Sequence, residues 1–438
     1  MSHHDAIQFL HGLTLFGSQF GLERPRKLAA LIGNPQDGLR FIHVAGTNGK
    51  GSTCAMLEGI YRAVGLRVGL YTSPHLVRFS ERIQVNRQPV PDADVARLVE
   101  KLRHEISRAG NAAAPDAITF FEFVTVMALM HFAEQQCDLV IWETGLGGRL
   151  DATNIVTPLA SVITNIQFDH ELWLGDTLVK IAAEKAGIIK PGVPVITGVD
   201  DAGALAVIQE TARQNNSPLT RVTVEDTRRA PLDEIKLPLL GSHQQSNATL
   251  ALATVGVLQP QLRVGDDAIR TGLSQVRWPG RMQCVELSGG RKLLLDGAHN
   301  AAGAATLSAT LAEHFPGAKP ALILGALADK DCRSLCDTLA PPAHRVWCVP
   351  VASERTAAAA VIADHCRRAN PQAEVAACPT LAEALRAAAD EPFLVIAGSL
   401  YLIGEAMELL NLGSAVGDSE RNLNEWAVGV GRESARAA

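Results

Sequence analysis

The sequence predicts an α/β protein with two domains, each built on a mainly parallel sheet with helices on both faces. Apolar runs typical of buried strands alternate with helical patterns along most of the chain. The chain has 438 residues, which is more than a single hydrophobic core usually supports. Residues 277–283, RWPGRMQ, interrupt the alternation, and we therefore place the domain boundary after residue 283.

The first predicted domain, residues 1–283, carries the longer series of strands and helices. Ligands of parallel α/β sheets bind at the carboxyl ends of the strands, so the residues that follow each strand are candidates for a site. The predicted strands cover residues 41–45, 67–71, 138–143, 159–166, 193–197 and 219–224, and the predicted helices cover residues 52–61, 92–108, 119–134 and 176–188.

The second predicted domain, residues 284–413, is smaller and has the same alternation, which indicates a Rossmann-like, doubly wound fold. The residues from 414 to 438 are small, polar and aperiodic, and we predict a flexible tail there. The predicted strands cover residues 292–296, 321–325, 345–351, 374–377 and 393–398, and helices are predicted at residues 301–314 and 381–389.

Composition excludes several classes of protein. The net charge is −6 and no basic block is present, which argues against a nucleic-acid partner. No apolar run is long enough to span a bilayer, and the first residues do not resemble a signal peptide. The eight cysteines are scattered without a CxxC pair, so neither zinc nor a disulfide framework is indicated. A cytoplasmic enzyme without a membrane partner is expected.

Residues 45–53, AGTNGKGST, predict a phosphate-binding loop. An apolar strand precedes the segment and a helical pattern follows it, which is the context such a loop requires. Its backbone N–H groups can surround phosphate oxygens, and Lys50 can reach the terminal phosphates. Ser52 or Thr53 could contact magnesium. The alternative is a glycine-rich turn with an exposed lysine, which the flanking strand and helix disfavour. The first domain is thus predicted to be a P-loop ATPase domain.

Charged residues end two of the apolar strands. Glu143 ends one strand, where a carboxylate is costly unless it is paired or bound to a metal, and Asp169 and His170 follow the next. Lys185 lies at the apolar end of a helix. The alternatives are an ordinary strand-end carboxylate, a structural histidine, and a lysine that pairs with Glu184 or extends to solvent.

Two further loops are candidates. Ser73 follows a strand beside the phosphate loop and could ligate a metal, although a Ser-Pro turn is the favoured explanation of this segment alone. Residues 295–300, LDGAHN, either face the cleft between the domains or form a turn capped by asparagine. Taken together, these features indicate a ligase or kinase that works in an interdomain cleft.

Four segments, residues 45–53, 71–83, 143–154 and 295–300, together resemble the folylpolyglutamate synthases of the Mur ligase superfamily. The resemblance implies an enzyme that uses ATP to join L-glutamate to a carboxylate through an acyl phosphate. The acceptor would be dihydropteroate, giving dihydrofolate, or the γ-carboxylate of a folate. Residues 148–153, GRLDAT, look like the bifunctional bacterial type, which performs both reactions.

The resemblance also implies a role for each matching residue. Two Mg²⁺ ions are implied, one ligated by Ser73 and Glu143 and the other by Glu143, His170 and carbamylated Lys185. Catalysis would depend on Lys50, Glu143, His170 and Lys185. The ATP contacts would be Asn48, Gly49, Lys50, Gly51, Ser52, Thr53, Asn247, Arg281, Asp296 and His299. The pterin contacts would be Gly21, Leu22, Glu23, Thr119, Phe120, Phe121, Asp151 and Ala152.

Three alternative functions stay open. The first is a folylpolyglutamate synthase without the dihydropteroate activity. The second is a Mur-type ligase that extends a nucleotide-linked peptide, but only 40 residues precede the strand at residue 41, too few for the additional domain this substrate would need. The third is a nucleotide-binding switch, which would not need the predicted metal set. The resemblance implies a monomer whose partners are small molecules: ATP, L-glutamate, dihydropteroate and folates.

Overall fold

The computed structural model describes residues 1–14, 20–113, 118–413 and 420–425. It confirms the predicted α/β fold class, with a large sheet in the first half of the chain and a smaller one in the second. Among the described residues the first sheet has eight strands in the order β4-β3-β2-β5-β1-β6-β7-β8. Its strands are β1 (Phe41–Ala45), β2 (Val68–Tyr71), β3 (Ile83–Val85), β4 (Gln88–Pro89), β5 (Leu139–Glu143), β6 (Ala160–Ile163), β7 (Val195–Thr197) and β8 (Leu219–Arg221).

Strands β2, β5, β1, β6, β7 and β8 run parallel, and the antiparallel strands β3 and β4 complete one edge. Helices connect the parallel strands and cover both faces, as right-handed crossover connections require. The helices of this half are α1 (His3–Thr14), α2 (Glu23–Leu31), α3 (Lys50–Ala63), α4 (Asp92–Ala113), α5 (Phe120–Glu134), α6 (Glu171–Leu174), α7 (Leu178–Ala186), α8 (Ala202–Gln214), α9 (Ser242–Leu258) and α10 (Asp266–Ser274).

The central strands of this sheet are buried on both faces, which explains why they are continuously apolar. On β1, Phe41 packs into a cluster with Trp142 and α5, while Ile42 faces a different cluster formed with α3 and α9. Because successive side chains of a strand point to opposite faces, both faces need apolar residues. The resulting rigid layer fixes the loops that leave its carboxyl edge.

The second sheet has six strands among the described residues, in the order β13-β12-β11-β14-β10-β9, and β9 alone is antiparallel. It begins at Gln283, so the segment that interrupts the alternation leads directly into β9. The strands are β9 (Gln283–Leu287), β10 (Arg291–Asp296), β11 (Ala321–Leu324), β12 (Arg345–Cys348), β13 (Glu374–Ala377) and β14 (Phe393–Ala397), and the helices are α11 (Ala301–His314), α12 (Cys332–Leu339), α13 (Ala359–Ala369), α14 (Leu381–Ala387) and α15 (Leu400–Leu409).

Several elements differ in length from their predictions. The strand predicted at residues 159–166 ends at Ile163, because the next residues leave the sheet for the phosphate loop, where Thr47 donates its backbone N–H to the Asn165 carbonyl. The helix predicted at residues 92–108 extends to Ala113, with a kink at Gly110, whose φ of 65° and ψ of 174° are not helical. No helix within the described ranges is both long and apolar enough to cross a membrane.

Part of the predicted flexible tail is packed against the body of the protein. Leu423 is 1% exposed and Glu420 is 4% exposed, so the prediction is wrong for residues 420–425. The reason is long-range contact: the Glu420 carboxylate accepts a hydrogen bond from the backbone N–H of Phe79 at 2.6 Å. Residues 414–419 and 426–438 of the predicted tail lie outside the described residues.

Candidate active site

A cleft of about 870 Å³ lies where the carboxyl ends of the strands of the two sheets face each other. The loops after β1, β2, β5 and β6 form one wall, and the loops after β10, β11 and β14 form the other. Most of the predicted site residues contribute to its lining: Asn48, Gly49, Lys50, Gly51, Ser52, Ser73, Phe120, Phe121, Glu143, Asp151, Ala152, His170, Lys185, Asn247, Arg281, Asp296 and His299.

The phosphate loop connects β1 to α3 and is tied to the neighbouring strand. The Asn48 backbone N–H donates to Asn165 Oδ1 at 2.9 Å, and Thr164 Oγ1 donates to the Asn48 carbonyl at 2.6 Å. Lys50 Nζ donates to the carbonyls of Gly46 and Thr47, each at 3.1 Å. The loop is therefore held open around the first turn of α3, whose free N–H groups favour an anion.

Gly46 is required by the close approach of this loop to Thr164. Its φ is +151°, and a Cβ there would lie 1.8 Å from Thr164 Oγ1. We expect Gly46→Ala to weaken binding of ADP by about 10- to 100-fold, because the loop must shift and strain its backbone. Isothermal titration calorimetry measures this affinity. Gly65→Ala is the matched control, since Gly65 also has a positive φ but nothing within 4 Å of its Cβ position. Unchanged ADP affinity in Gly46→Ala would contradict the expectation.

Asn247 reaches the phosphate loop from α9. A Cβ on Gly49 would lie 2.4 Å from Asn247 Oδ1, so this amide almost touches the loop backbone. Its Nδ2 donates to Gln244 Oε1 at 3.0 Å, which fixes the orientation of the amide. Asn247 thus lies beside the position that a nucleotide bound to the loop would occupy.

Glu143 ends β5 with its carboxylate in the cleft. The side chain is 4% exposed, and Oε2 accepts a hydrogen bond from the backbone N–H of Ser73 at 3.3 Å. Burial raises the pKa of Glu143 to about 7, although the positive charge of Lys50 opposes the shift. The other carboxylate oxygen, Oε1, accepts no hydrogen bond from the described residues. A buried carboxylate with an unused oxygen suits a cation.

Lys185 is buried at the end of α7, where it is 4% exposed. Its Nζ donates to the Gly46 carbonyl at 2.9 Å, the same carbonyl that Lys50 contacts. Burial and the nearby charge of Lys50 lower the pKa of Lys185 to about 7. The alternative of an ion pair with Glu184 is excluded, because Glu184 pairs with Arg149 at 2.9 Å.

Asp169 connects the two walls of the cleft. It forms ion pairs with Lys330 and with His299, whose Nε2 lies 3.3 Å from Oδ2, and it accepts a hydrogen bond from Asn300 Nδ2 at 3.1 Å. Burial raises the pKa of Asp169, but the hydrogen bond and charge of His299 together with Lys330 and His170 hold it well below the usual range. The neighbouring His170 is partly buried, and its desolvation lowers its pKa to about 3.

The buried Asp296 and the half-buried Arg281 lie side by side at the base of the second wall. Asp296 accepts hydrogen bonds from the backbone N–H groups of Met282 at 2.8 Å and Ala298 at 2.9 Å. Burial lowers the pKa of Arg281, and the charge of Asp296 opposes the shift. The predicted turn is also present, because Asn300 Oδ1 accepts from the Gly303 backbone at 2.8 Å and caps α11. Residues 295–300 therefore form the predicted turn, and residues 296–299 also line the cleft.

Several predicted pterin contacts have other roles. Glu23 is exposed and pairs with Lys27 at 2.8 Å, and the hydroxyl of Thr119 caps α5 through Glu122. Asp151 lines the cleft, but its carboxylate already accepts hydrogen bonds from Gly145, Leu146 and Thr153. Of the predicted site residues, these do not appear in the cleft lining: Gly21, Leu22, Glu23, Thr53 and Thr119.

Sequence reasoning missed cleft residues whose importance depends on distant partners. Lys330 follows β11 and contacts Asp169, which is 161 positions earlier in the chain. Arg82 contacts Asn424, which is 342 positions later. The only sequence signal for Lys330 is its place after a strand, and Arg82 has no signal beyond the segment that carries the resemblance.

Two family profiles match the chain. Residues 44–255 match the Mur ligase middle domain, and residues 280–400 match the Mur ligase glutamate ligase domain. A Bacillus subtilis protein named dihydrofolate synthase/folylpolyglutamate synthase is 36% identical over 365 residues, which cover 79% of this chain and 84% of the relative. The chain belongs to the folylpolyglutamate synthase family of Mur ligases. It is an ATP-dependent ligase, and the resemblance seen in the sequence is confirmed.

Other members of the family agree over nearly the whole chain. The Escherichia coli dihydrofolate synthase/folylpolyglutamate synthase is 33% identical, and the match covers 92% of this chain and 94% of the relative. The structure of E. coli FolC in complex with DHPP and ADP has a TM-score of 0.81 at 32% identity, covering 94% of this chain and 98% of that one. Mycobacterium tuberculosis folylpolyglutamate synthase complexed with ADP has a TM-score of 0.84 at 30% identity, with coverage of 95% and 100%. These folylpolyglutamate synthase structures share the two-sheet architecture described above.

Proposed function

We propose that the chain adds L-glutamate both to dihydropteroate and to the γ-carboxylate of folates. The observation that supports this most is the composition of the cleft. The phosphate loop and Glu143 share it with an aromatic wall formed by Phe120 and Phe121, which suits a flat pterin. The opposite wall belongs to the part of the chain that matches a glutamate ligase domain. ATP, a pterin acceptor and glutamate can therefore meet in one place.

The residues suit two bond-forming steps. First, an acceptor carboxylate oxygen attacks the γ-phosphorus of ATP, giving an acyl phosphate and ADP. The glutamate nitrogen then attacks the acyl carbon, inorganic phosphate leaves, and the nitrogen loses a proton. Lys50 and the loop N–H groups hold the phosphates, while the two walls of the cleft limit the access of water that would hydrolyse the acyl phosphate.

Glu143 and Ser73 are suitable Mg²⁺ ligands. Among the described residues, no group of three or more His, Cys, Asp and Glu side chains could hold a metal by itself. Phosphate oxygens of ATP would therefore have to complete the coordination. When bound, Mg²⁺ supplies charge neutralisation at the β- and γ-phosphates. Glu143 with Ser73 would hold one ion, and Glu143 with His170 and modified Lys185 would hold the second.

Lys185 would take part in the second site after carbamylation. The neutral amine attacks CO₂, one proton is released, and the product is an N-carboxylated lysine with two oxygen ligands. A buried lysine amine close to the phosphate loop is poorly placed as a cation, because Lys50 already supplies positive charge to the same carbonyl. Carbamylation exchanges this positive charge for a negative one that a metal ion can bind.

ATP-dependent incorporation of radiolabelled glutamate tests the function, with dihydropteroate and tetrahydrofolate as separate acceptors. We expect turnover with both. Turnover with tetrahydrofolate alone would identify a folylpolyglutamate synthase without the first activity, in which Asp151 serves only its own loop through its hydrogen bonds to Gly145, Leu146 and Thr153. Nucleotide binding without turnover on either acceptor would contradict the proposal and favour another Mur-type ligase or a nucleotide-binding switch. The resemblance supports a monomer, and the scattered cysteines support a cytoplasmic location.

A further inference from the structure

Residues 420–425 bind across the two halves of the protein beside the cleft, and we name them the C-terminal strap. On the side of the first domain, the Glu420 carboxylate accepts from the Phe79 backbone at 2.6 Å and contacts His3 Nε2 at 2.9 Å. Leu423 is 1% exposed. These contacts make the strap part of the folded structure.

The second domain holds the strap from the other side. The Tyr401 hydroxyl donates to the Asn424 carbonyl at 2.5 Å, and Arg421 Nε donates to Glu408 Oε2 at 2.7 Å. Three strap residues contribute to the lining of the cleft: Leu423, Asn424 and Glu425. The strap therefore places its polar side chains where a substrate would bind.

The guanidinium of Arg82 is held by Asn424 of the strap and by His75, which is itself hydrogen-bonded to the strap. Arg82 Nη2 donates to Asn424 Oδ1 at 2.6 Å, and Arg82 Nε donates to His75 Nδ1 at 2.8 Å. Because Nδ1 of His75 accepts, its Nε2 carries the proton and donates to the Glu420 carbonyl at 3.0 Å. Asn424 Nδ2 also donates to the His75 carbonyl at 2.9 Å. The guanidinium is thus held in one orientation.

Arg82 is a buried cation with neutral partners. It is 4% exposed, lies over the ring of Phe120 at 5.2 Å, and forms no ion pair with any described residue, since the carboxylates of Glu81 and Glu143 act on its charge only from beyond ion-pair distance. Its Nη1 donates to no described residue. A buried cation is costly without an opposite charge, so an anion bound in the cleft would recover much of that cost.

We propose that Arg82 binds the carboxylate of the acceptor substrate, and that the C-terminal strap positions it through Asn424. The inference rests on the proposed function, because it assumes a carboxylate acceptor in this cleft. The acceptor is favoured over glutamate as the source of the carboxylate because Arg82 packs on Phe120, within the aromatic wall. A planar guanidinium with a free N–H is suited to a carboxylate oxygen.

Calorimetry with dihydropteroate and its carboxamide analogue tests the assignment of Arg82. We expect the wild-type protein to bind the carboxylate about 10- to 100-fold more tightly than the amide, and Arg82→Gln to lose most of this preference. Both affinities are measured on the same protein. A general loss of stability would therefore not change the ratio of the affinity for the carboxylate to the affinity for the amide. An unchanged ratio in Arg82→Gln would overturn the assignment alone. Failure of the wild-type protein to bind either compound would overturn the proposed function as well.

Steady-state kinetics on strap variants test the positioning role. We expect Asn424→Ala to raise the KM for the acceptor about tenfold, with little change in the KM for ATP or glutamate. Asn424→Asp should raise it further, because the new carboxylate competes with the substrate for Arg82. Asn422→Ala is the matched control, since Asn422 is exposed in the same turn and its side chain makes no contact with Arg82.

Two outcomes would contradict these assignments. An equal effect on all three KM values would indicate a purely structural strap. An increase confined to the KM for glutamate would assign Arg82 to the carboxylate of the amine substrate instead of the acceptor.

Discussion

Replacing Lys185 by alanine is expected to lower kcat for glutamate ligation by about a thousandfold while the protein remains folded. The side chain is buried beside the phosphate loop and contacts the Gly46 carbonyl at 2.9 Å. Its removal deletes the group that we propose to carry the carbamate, and so removes an oxygen ligand at the point where phosphoryl transfer occurs. Phosphate release, measured with both acceptor and glutamate present, gives kcat, and circular dichroism reports the fold.

Lys180→Ala is the matched control for this variant. Lys180 lies on the same helix, is exposed, and pairs with Asp176 at 2.8 Å. A short carboxylate such as acetate should partly restore turnover in Lys185→Ala, because it can enter the space of the missing side chain and supply an oxygen. Turnover within a few-fold of the wild type in Lys185→Ala would remove Lys185 from the site.

The sequence predicts those parts of the site that depend on residues adjacent to one another in the chain. An apolar strand followed by AGTNGKGST is sufficient to place the phosphate loop and Lys50, and the apolar strand before Glu143 places its carboxylate. In both cases the strand fixes the position in the sheet, and the residues at its carboxyl end provide the chemistry. The fold class follows from the same alternation of strands and helices.

The parts that sequence does not predict depend on contacts between distant residues. Residues 420–425 contain one large aliphatic side chain, Leu423, and nothing local shows that Phe79 and Tyr401 will receive this segment. Residue type does not show that a polar group also serves its own backbone. Thr119 and Asp151, which are predicted to contact the pterin, each cap a helical turn in the structure.

Replacing Lys330 by methionine is expected to lower the free energy of unfolding by about 3 kcal/mol, because the buried Asp169 carboxylate loses the lysine of its ion pair. Both side chains are 8% exposed, and the pair joins the loop after β6 to the loop after β11. His299 and Asn300 still contact Asp169, but they are also engaged with the Gly297 carbonyl and with Asn48. Urea unfolding followed by tryptophan fluorescence measures the loss.

The double variant Asp169→Asn with Lys330→Met separates the cost of an orphaned charge from a loss of packing. Removing both charges should recover at least about 1 kcal/mol relative to the sum of the single variants, because no unpaired ion remains in the interior. Lys319→Met, on an exposed lysine of the same domain, should change stability by less than about 0.5 kcal/mol. Strictly additive losses would mean that Asp169 and Lys330 do not interact, and the two walls of the cleft would then have to be joined by Asn48 and Asn300, whose amides contact each other at 3.2 Å.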